Sequence, residues 1–264
     1  MISASLLFTL THMARGKTTL GIDIGGTKVA ACVYGPTFKA FKQVTLPTAA
    51  ITRNGKVSLP LLKEQLAGLL TFPIEVVGLG IKGVVVKGEL KYSSLLGGSV
   101  RFDFRKYLSK ILGLPVAVVN DVEAMAVAEK EFGFGRRYKN FTLVNLGTGI
   151  RVLHVAGSYY LTGMHGIAGE VSQVIQLKLR SRPKNNFGTI FIKGVMQLLT
   201  LVHLCYDPDL IVLTGGVVAD ARFPYREIVK NCELGSRTPT RGAQVKLSKV
   251  VNSGCLGAAL VANR

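Results

Sequence analysis

The sequence predicts an α/β fold made of two similar lobes with a cleft between them. Short apolar segments typical of buried strands alternate with segments of helical apolar spacing in both halves of the chain. Strands run directly into glycine three times, after Ile24, Leu146 and Thr214, and this recurrence favours two related lobes. Of the 264 residues, 48% are hydrophobic and 18% are charged, which is enough apolar surface for a core and argues against a disordered chain.

The first half opens with a hairpin. Residues 19–24 predict a buried strand and residues 29–34 its partner, with Gly25-Gly26 as the turn. The elements that follow are a strand over residues 41–46, a helix over 61–70, a strand over 75–81, a helix over 104–112 that ends at Gly113, and a short strand over 115–119.

The second half predicts the same alternation. Residues 121–132 contain no helix breaker and open at Asn120-Asp121, either of which suits a helix N-cap. A hairpin broken at 147–149 follows, with strands over 141–146 and 150–156 and a continuation over 159–161. The later elements are a long apolar helix over 190–205, a buried strand over 210–213, a helix over 225–232, a strand over 244–247 and a small-residue helix over 255–262. We therefore assign residues 14–118 to the first lobe and 119–252 to the second.

The charge balance predicts an anionic partner. Lys and Arg number 33 against 15 Asp and Glu, a formal charge of +18. Nucleotides, phosphorylated metabolites, nucleic acid and membrane surfaces all fit this excess. The basic residues are spread along the chain rather than gathered in one arm, which argues against a dedicated nucleic-acid surface.

Cysteine usage and the apolar segments bear on location. The four cysteines are far apart and have no paired spacing, which favours reduced thiols in a cytoplasmic protein. The short apolar run in residues 1–12 lacks a basic region before it and an A-x-A exit, which argues against a signal peptide, and Met1 and Met13 are both plausible starts. We expect no membrane span, because no stretch combines the required length with freedom from charged and turn residues.

Glycine-rich turns after strands are the first candidate sites. Gly25-Gly26-Thr27-Lys28 lets backbone N–H groups converge on an anion, and Asp23 on the preceding strand faces the same turn, as suits a divalent cation between the acid and a phosphate. An ordinary hairpin turn beside an edge aspartate has the same pattern. Gly147-Thr148-Gly149 repeats the arrangement, and Gly215-Gly216 would let a nucleotide base approach the backbone. Each motif alone is also typical of a plain loop.

Asn120-Asp121 joins a buried strand to a helix. A carboxylate held there suits the acceptance of a hydroxyl proton during phosphoryl transfer to an alcohol. The alternative is that this pair only caps the helix.

Taken in order, these motifs resemble the ROK family of sugar kinases, within the actin-like, hexokinase-type ATPase superfamily. The collinear set is Asp-x-Gly-Gly-Thr, Asn-Asp before a helix, Gly-Thr-Gly, HGIAGE at 165–170 and DPDLIVLTGGV, and it runs from Leu20 to about Val218. The resemblance implies a two-lobed actin-like ATPase fold, related to ribonuclease H, with a central cleft. It also implies ATP-dependent phosphorylation of a hexose such as glucose or an N-acetylhexosamine.

The resemblance implies a role for each motif. Asp23, Gly25, Gly26, Thr27 and Lys28 would form the first phosphate loop, with Mg²⁺ held by Asp23 through water. Gly147, Thr148 and Gly149 would form the second phosphate loop, and Gly215 and Gly216 the adenosine motif. Asp121 would be the catalytic base, while Asn120 and Glu170 would bind sugar hydroxyls. His165 would either line the sugar or have no ligand role. The final helix, 253–264, would return to the first lobe, and the protein would form a homodimer.

The sequence departs from the family pattern in the second half. The family continues after GE-x-G with a zinc-binding histidine and three cysteines, whereas this chain reads Val171-Ser172-Gln173 and then KLRSRPKNN over 178–186. We therefore predict no zinc. The basic loop would attract an anion or be a solvated surface. Arg151 stands where the family has glycine, and it would contact a phosphate or point to water. Contacts to sugar are also altered at 82–83 and 94–98.

Two non-enzymatic alternatives remain open at this point. ROK-like proteins include transcriptional repressors that sense a sugar or nucleotide, but these carry an N-terminal helix-turn-helix for which the residues before Leu20 are too few. The charge of +18 also fits a nucleic-acid-binding derivative of the fold, which would bind duplexes with a steep dependence on salt.

Overall fold

Two five-stranded mixed sheets form the framework of the protein, for which a computed structural model describes residues 16–173, 187–232 and 242–264. These residues group into two units, one of residues up to 128 together with 251–264, and one of residues 129–250. The boundary assigned from the sequence, after residue 118, lies earlier in the chain. The α-helices are α1 (Leu59–Gln65), α2 (Phe104–Leu112), α3 (Asp121–Phe132), α4 (Thr189–Tyr206), α5 (Tyr225–Asn231) and α6 (Ser253–Ala262). Short 3-10 helices cover Thr48–Ile51, Ser94–Leu96, Phe134–Arg137 and Val171–Gln173.

The first unit is built on a sheet whose strand order is β10-β6-β1-β2-β3. The strands of this unit are β1 (Thr19–Ile24), β2 (Lys28–Tyr34), β3 (Ala40–Pro47), β4 (Thr52–Arg53), β5 (Lys56–Val57), β6 (Val76–Ile81), β7 (Val84–Val86), β8 (Glu89–Ser93), β9 (Gly98–Ser99) and β10 (Val116–Asn120). β1, β2 and β3 are antiparallel, and β6 and β10 continue parallel to β1. β4-β5 and β7-β8-β9 are separate small sheets.

The second unit repeats this arrangement with the order β13-β12-β11-β14-β15. Its strands are β11 (Asn140–Leu146), β12 (Ile150–Ala156), β13 (Tyr159–Tyr160), β14 (Leu210–Thr214) and β15 (Gln244–Leu247). Again the first three strands are antiparallel and the last two run parallel to the first. The matching order and directions confirm the prediction of an α/β protein with two similar lobes.

Most predicted elements are present, and α2, α3, β12 and β15 have the predicted bounds. The first predicted helix is shorter than expected, because α1 ends at Gln65 and the residues after it form turns. The hairpins β4-β5 and β7-β8 were not expected from the sequence.

Helix α6 packs directly on the first sheet, where glycines allow its backbone to approach the strands. A Cβ at Gly21 would overlap the carbonyl oxygen of Cys255, and a Cβ at Gly78 would overlap that of Ala258. Ala258 and Ala259 are fully buried there. The contact therefore depends on small residues on both surfaces rather than on interlocking large side chains.

Helix α4 is long and apolar enough to cross a membrane by length and composition, with a mean hydropathy of 1.4. The helix contains Lys193 and Gly194, so it is not a stretch free of charged and turn residues of the kind considered in the sequence. Ile192, Val195 and Leu198 on this helix pack into the core of the second unit with β14. One helix of this kind is weak evidence for a membrane span, because core helices meet the same criterion.

Candidate active site

The carboxyl ends of three parallel strands bring the predicted acids together in the first unit. Asp23 on β1 is in register with Gly80 on β6, and Gly80 is in register with Val119 on β10. Asn120 and Asp121 follow Val119 at once, so they lie at the same edge of the sheet as Asp23. Ligands of α/β sheets bind at this edge, beyond the carboxyl ends of the strands.

Asp23 is a carboxyl group held partly out of water. Its Oδ1 atom is buried and has no hydrogen-bond partner among the described residues. Burial, and then the charge of Asp121, raise the pKa of Asp23 from 3.8 to about 7, while Lys28 opposes this shift. Near neutral pH the ligand-free protein therefore contains both the protonated and the ionised form of Asp23. An isolated strand aspartate in water would be ionised throughout.

The start of α6 lies against the same carboxylate. A Cβ at Gly254 would overlap Oδ2 of Asp23, so only glycine fits at this second residue of the helix. No sequence motif indicated this contact, because Gly254 follows Asp23 by more than two hundred residues and belongs to a plain small-residue helix.

The first glycine turn is held in shape by its own backbone and by Thr48. The Gly25 N–H donates to the Lys28 carbonyl at 2.9 Å. The Thr48 hydroxyl donates to the Gly25 carbonyl at 2.8 Å, and the Thr48 N–H donates to the Thr27 carbonyl at 3.0 Å. Gly26, Thr27 and Lys28 are exposed. The turn is thus a braced loop with an accessible outer surface, as an anion site requires.

Asn120 is a buried helix cap, 2% exposed. Its Oδ1 accepts hydrogen bonds from the N–H groups of Val122 at 2.9 Å and Glu123 at 3.1 Å, and its Nδ2 donates to the Gly83 carbonyl at 2.8 Å. Asn120 therefore caps α3 and ties it to the residues after β6, which leaves one amide hydrogen of Nδ2 for a ligand. Its predicted contact with a sugar hydroxyl stays a prediction.

Asp121 is the first residue of α3, and Asn120 before it caps this helix. The side chain is partly exposed, and its charge is the second largest cause of the raised pKa of Asp23. The sequence left open whether this Asn-Asp pair only caps the helix. In the structure the asparagine caps α3, and the aspartate lies at the same sheet edge as Asp23.

The glycine loops of the second unit also share one sheet edge. β11 and β14 are adjacent and parallel, and Asn145 is in register with Thr214. The Gly147-Thr148-Gly149 turn after β11, closed by a 3.0 Å bond from the Gly147 N–H to the Gly149 carbonyl, therefore lies beside Gly215-Gly216 after β14. The Val217 N–H donates to the Leu146 carbonyl at 3.0 Å and joins the two loops. The family resemblance implies nucleotide binding for both loops, and the fold of this unit brings them side by side.

His165 and Glu170 lie on a loop that is anchored by Arg151. His165 is exposed. The Arg151 Nη1 lies 3.0 Å from Oε1 of Glu170, and its Nη2 donates to the Gly166 carbonyl at 3.1 Å. The Arg151 side chain is only 4% exposed. The alternative that Arg151 points to water is wrong, because the guanidinium is buried and turned inward onto the loop. The alternative that it contacts a phosphate stays a prediction.

The remaining predictions concern metals and the basic loop. Among the described residues, no group of three or more His, Cys, Asp or Glu is placed to hold a metal ion. The basic loop at 178–186 and the two candidate start residues lie outside the described residues. All four cysteines are free.

A family model described as "ROK family" matches residues 19–176 of this chain. An N-acetylmannosamine kinase from Escherichia fergusonii is 32% identical over 164 residues, which cover 60% of this chain and 54% of that protein. The chain thus spans about half the length of the curated relatives that it matches.

Solved structures share the fold over most of the chain. A ROK family glucokinase from Streptomyces griseus, in complex with glucose and AMPPNP, is 20% identical with a TM-score of 0.74, and the match covers 93% of this chain and 99% of that one. A ROK family transcriptional regulator, described as a homologue of the E. coli MLC protein, is 18% identical with a TM-score of 0.67 and coverage of 94% and 78%. The actin-like fold is therefore established, and it is shared by enzymes and regulators.

Proposed function

This chain belongs to the ROK family, and we propose that it transfers the γ-phosphoryl group of ATP to a hydroxyl group of a hexose. The acceptor class is glucose or a related sugar such as an N-acetylhexosamine. We further infer that the protein acts in the cytoplasm and forms a homodimer, as the family resemblance implies.

The pair of carboxylates in the first unit is the observation that carries this proposal. Burial, and after it the charge of Asp121, raise the pKa of Asp23 to about 7, and Asn120 caps α3. Two acids with different surroundings at one sheet edge suit two different tasks. We assign one to the metal and nucleotide and the other to the alcohol.

In the proposed reaction, Asp121 accepts the proton of the attacking sugar hydroxyl as the bond between that oxygen and the γ-phosphorus forms and the bond to ADP breaks. Glu170 and Asn120 orient the sugar through its hydroxyl groups. The N–H groups of the turns at 25–28 and 147–149 hold the phosphates, and Gly215-Gly216 lies against the adenosine. Lys28 adds a positive charge at the first turn.

The residues of the first unit fit a magnesium ion. The buried Oδ1 of Asp23 lacks a hydrogen-bond partner among the described residues, and a cation or one of its water ligands would satisfy it. Mg²⁺ is bound by one or two carboxylates together with substrate phosphates and water, so a larger protein cluster is not required. When bound, the ion neutralises charge on the phosphate oxygens. We retain the absence of zinc as a prediction.

The sensing alternative shares the fold but not the need for a base. A transcriptional regulator with this fold exists, so the fold alone does not decide between catalysis and sensing. A protein that only binds sugar does not need a proton acceptor at the sheet edge that also holds Asp23. The position of Asp121 therefore favours the kinase.

A coupled assay tests the proposal. Purified protein, ATP and Mg²⁺ are combined with a panel of glucose, mannose, N-acetylglucosamine and N-acetylmannosamine, and ADP release is followed. We expect sugar-dependent turnover with at least one acceptor, its loss with EDTA and its return with added Mg²⁺. Sugar binding without turnover for every acceptor would support the sensing alternative and reject the kinase.

A further inference from the structure

A buried arginine in the second unit is not explained by the proposed roles of nucleotide and sugar residues. Arg151 is the second residue of β12 and is paired across the sheet with Asn145. Its side chain is 4% exposed, which is unusual because arginine is almost never fully buried unless it is paired. The partner is Glu170, nineteen residues later in the chain and itself 37% exposed.

The guanidinium group of Arg151 lies on the inner side of the loop that carries Glu170. The Val152 N–H donates to the Gly169 carbonyl at 2.9 Å, the Ala168 N–H to the Thr162 carbonyl at 3.1 Å, and the Glu170 N–H to the Ile167 carbonyl at 3.2 Å. These backbone bonds fold the loop back on β12. Arg151 then fills the space beneath it and donates through Nη2 to the Gly166 carbonyl at 3.1 Å.

In this ion pair Arg151 is buried and Glu170 is partly exposed, and this difference fixes the direction of the Glu170 carboxylate. The Arg151 charge is out of water and is stabilised only while a carboxylate remains beside it. Oε1 of Glu170 lies 3.0 Å from Nη1 of Arg151, but the two atoms do not have hydrogen-bond geometry. The pair is therefore held mainly by the Coulomb attraction between the two charges. Since Glu170 is partly exposed, its carboxylate is held from below by Arg151 while remaining accessible.

We propose that Arg151 is a positioning residue that holds Glu170 and the 163–170 loop ready for hydroxyl groups of a neutral sugar. The inference rests on the proposed function, in which Glu170 binds the acceptor. Because Glu170 neutralises the charge of Arg151, the pair presents hydrogen-bond acceptors rather than a free cation. It therefore suits an uncharged polyol and not a sugar phosphate.

A double-mutant cycle tests the coupling. The variants are Arg151→Met, Glu170→Gln and their combination, with Arg151→Lys as the conservative change. For Arg151→Met we expect kcat/KM for the sugar to fall on the order of 30-fold or more, mostly through KM, while KM for ATP stays within about twofold. Adding Glu170→Gln to Arg151→Met costs far less than Glu170→Gln alone, and Arg151→Lys recovers part of the loss.

The matched control is Arg222→Met, which breaks the ion pair of Arg222 with Asp220 on the surface of the same unit. This arginine is 55% exposed, so its loss leaves the sugar KM unchanged. Additive effects of the two substitutions, or an equal rise in KM for ATP in Arg151→Met, would overturn the positioning role.

Amide hydrogen exchange gives a readout that does not depend on activity. In Arg151→Met we expect faster exchange at Gly166, Ala168 and Glu170, with unchanged protection at Leu143 on the neighbouring strand. Equal exchange in the variant and the wild type would reject the anchor even in an active kinase. If the wild type phosphorylates no sugar, the kinase proposal fails while exchange still decides whether Arg151 holds the loop.

Discussion

Asp23 places a carboxyl group where burial disfavours its ionised form. A strand interior disfavours aspartate, and here burial and a second acid raise its pKa to about 7. Active sites commonly combine such local destabilisation with function. The resulting change in stability can be measured.

Replacing Asp23 with Asn should stabilise the ligand-free protein at high pH. The folded-state pKa is raised, so the unfolded chain loses its proton near pH 4 and the folded protein only near pH 7. The stability of the wild type therefore falls between about pH 4 and 7, by at most about 4 kcal/mol from this group, and stays reduced above that range. Urea unfolding followed by circular dichroism should show the variant more stable at pH 8 and similar at pH 4. A variant that is less stable than the wild type at pH 8 would contradict this account of Asp23.

Replacing Asp121 with Asn should abolish sugar phosphorylation and leave ATP binding nearly intact, because the amide cannot accept the hydroxyl proton. We expect a loss in kcat of at least about 100-fold. Asp103→Asn is the matched control, since Asp103 caps α2 in the same unit and asparagine caps equally well. Loss of ATP binding with normal turnover would remove Asp121 from the catalytic role.

At the scale of elements, the contact of α6 with β1 and β6 depends on residues without side chains. Gly78 is a strand residue whose missing Cβ leaves room for the backbone of α6 at Ala258. Substitutions that add atoms to such a contact force the two elements apart.

Gly78→Ala should therefore destabilise the protein by about 1–3 kcal/mol or more, since the added methyl group meets backbone that cannot rotate away. Gly68→Ala is the control, because nothing lies within 4 Å of a Cβ at that position, and its effect should stay within about 0.5 kcal/mol. The free energies of unfolding of the two variants would be compared in urea. Similar free energies of unfolding for the two variants would show that α6 does not pack closely against Gly78.

Much of the architecture could be predicted because strand and glycine signals are local. Asp23, Asn120 and Asp121 come together because each lies at the carboxyl end of a parallel strand. Two hairpins were missed although their turns carry a signal: Asn54-Gly55 and Lys87-Gly88 have positive φ at both central residues, as primed hairpin turns require.

The contacts of Arg151, Thr48 and Gly254 could not be predicted in the same way. Each depends on a partner far along the chain, and nothing in the neighbouring sequence identifies that partner. For Arg151 the only signal was its presence where the family has glycine. Such a departure indicates that the residue matters, but only the packing shows that it points toward Glu170.

At the scale of the whole molecule, the first unit is discontinuous in sequence and the second is continuous. Helix α6, which completes the first unit, follows every residue of the second. The fold of the first unit therefore requires a segment that the second unit does not.

Removing residues 251–264 should uncover β1 and β6 while leaving the second unit folded. We expect the amides of Gly21 and Gly78 to lose protection, because α6 no longer lies against them, and the amides of Leu143 and Val212 to keep it. Hydrogen exchange with mass spectrometry would measure both sets in one sample. Full protection of β1 and β6 in the shortened chain would show that α6 is dispensable for the first unit.

The late position of α6 also has a consequence for synthesis on the ribosome. At about 5–20 residues per second, the sheet of the first unit emerges on the order of ten seconds before the helix that closes over it. During that interval the glycine-lined surface of the nascent sheet is bare, and the continuous second unit is free to fold ahead of it. A cell making this protein would therefore gain from a chaperone that shields the waiting strands until the last helix arrives.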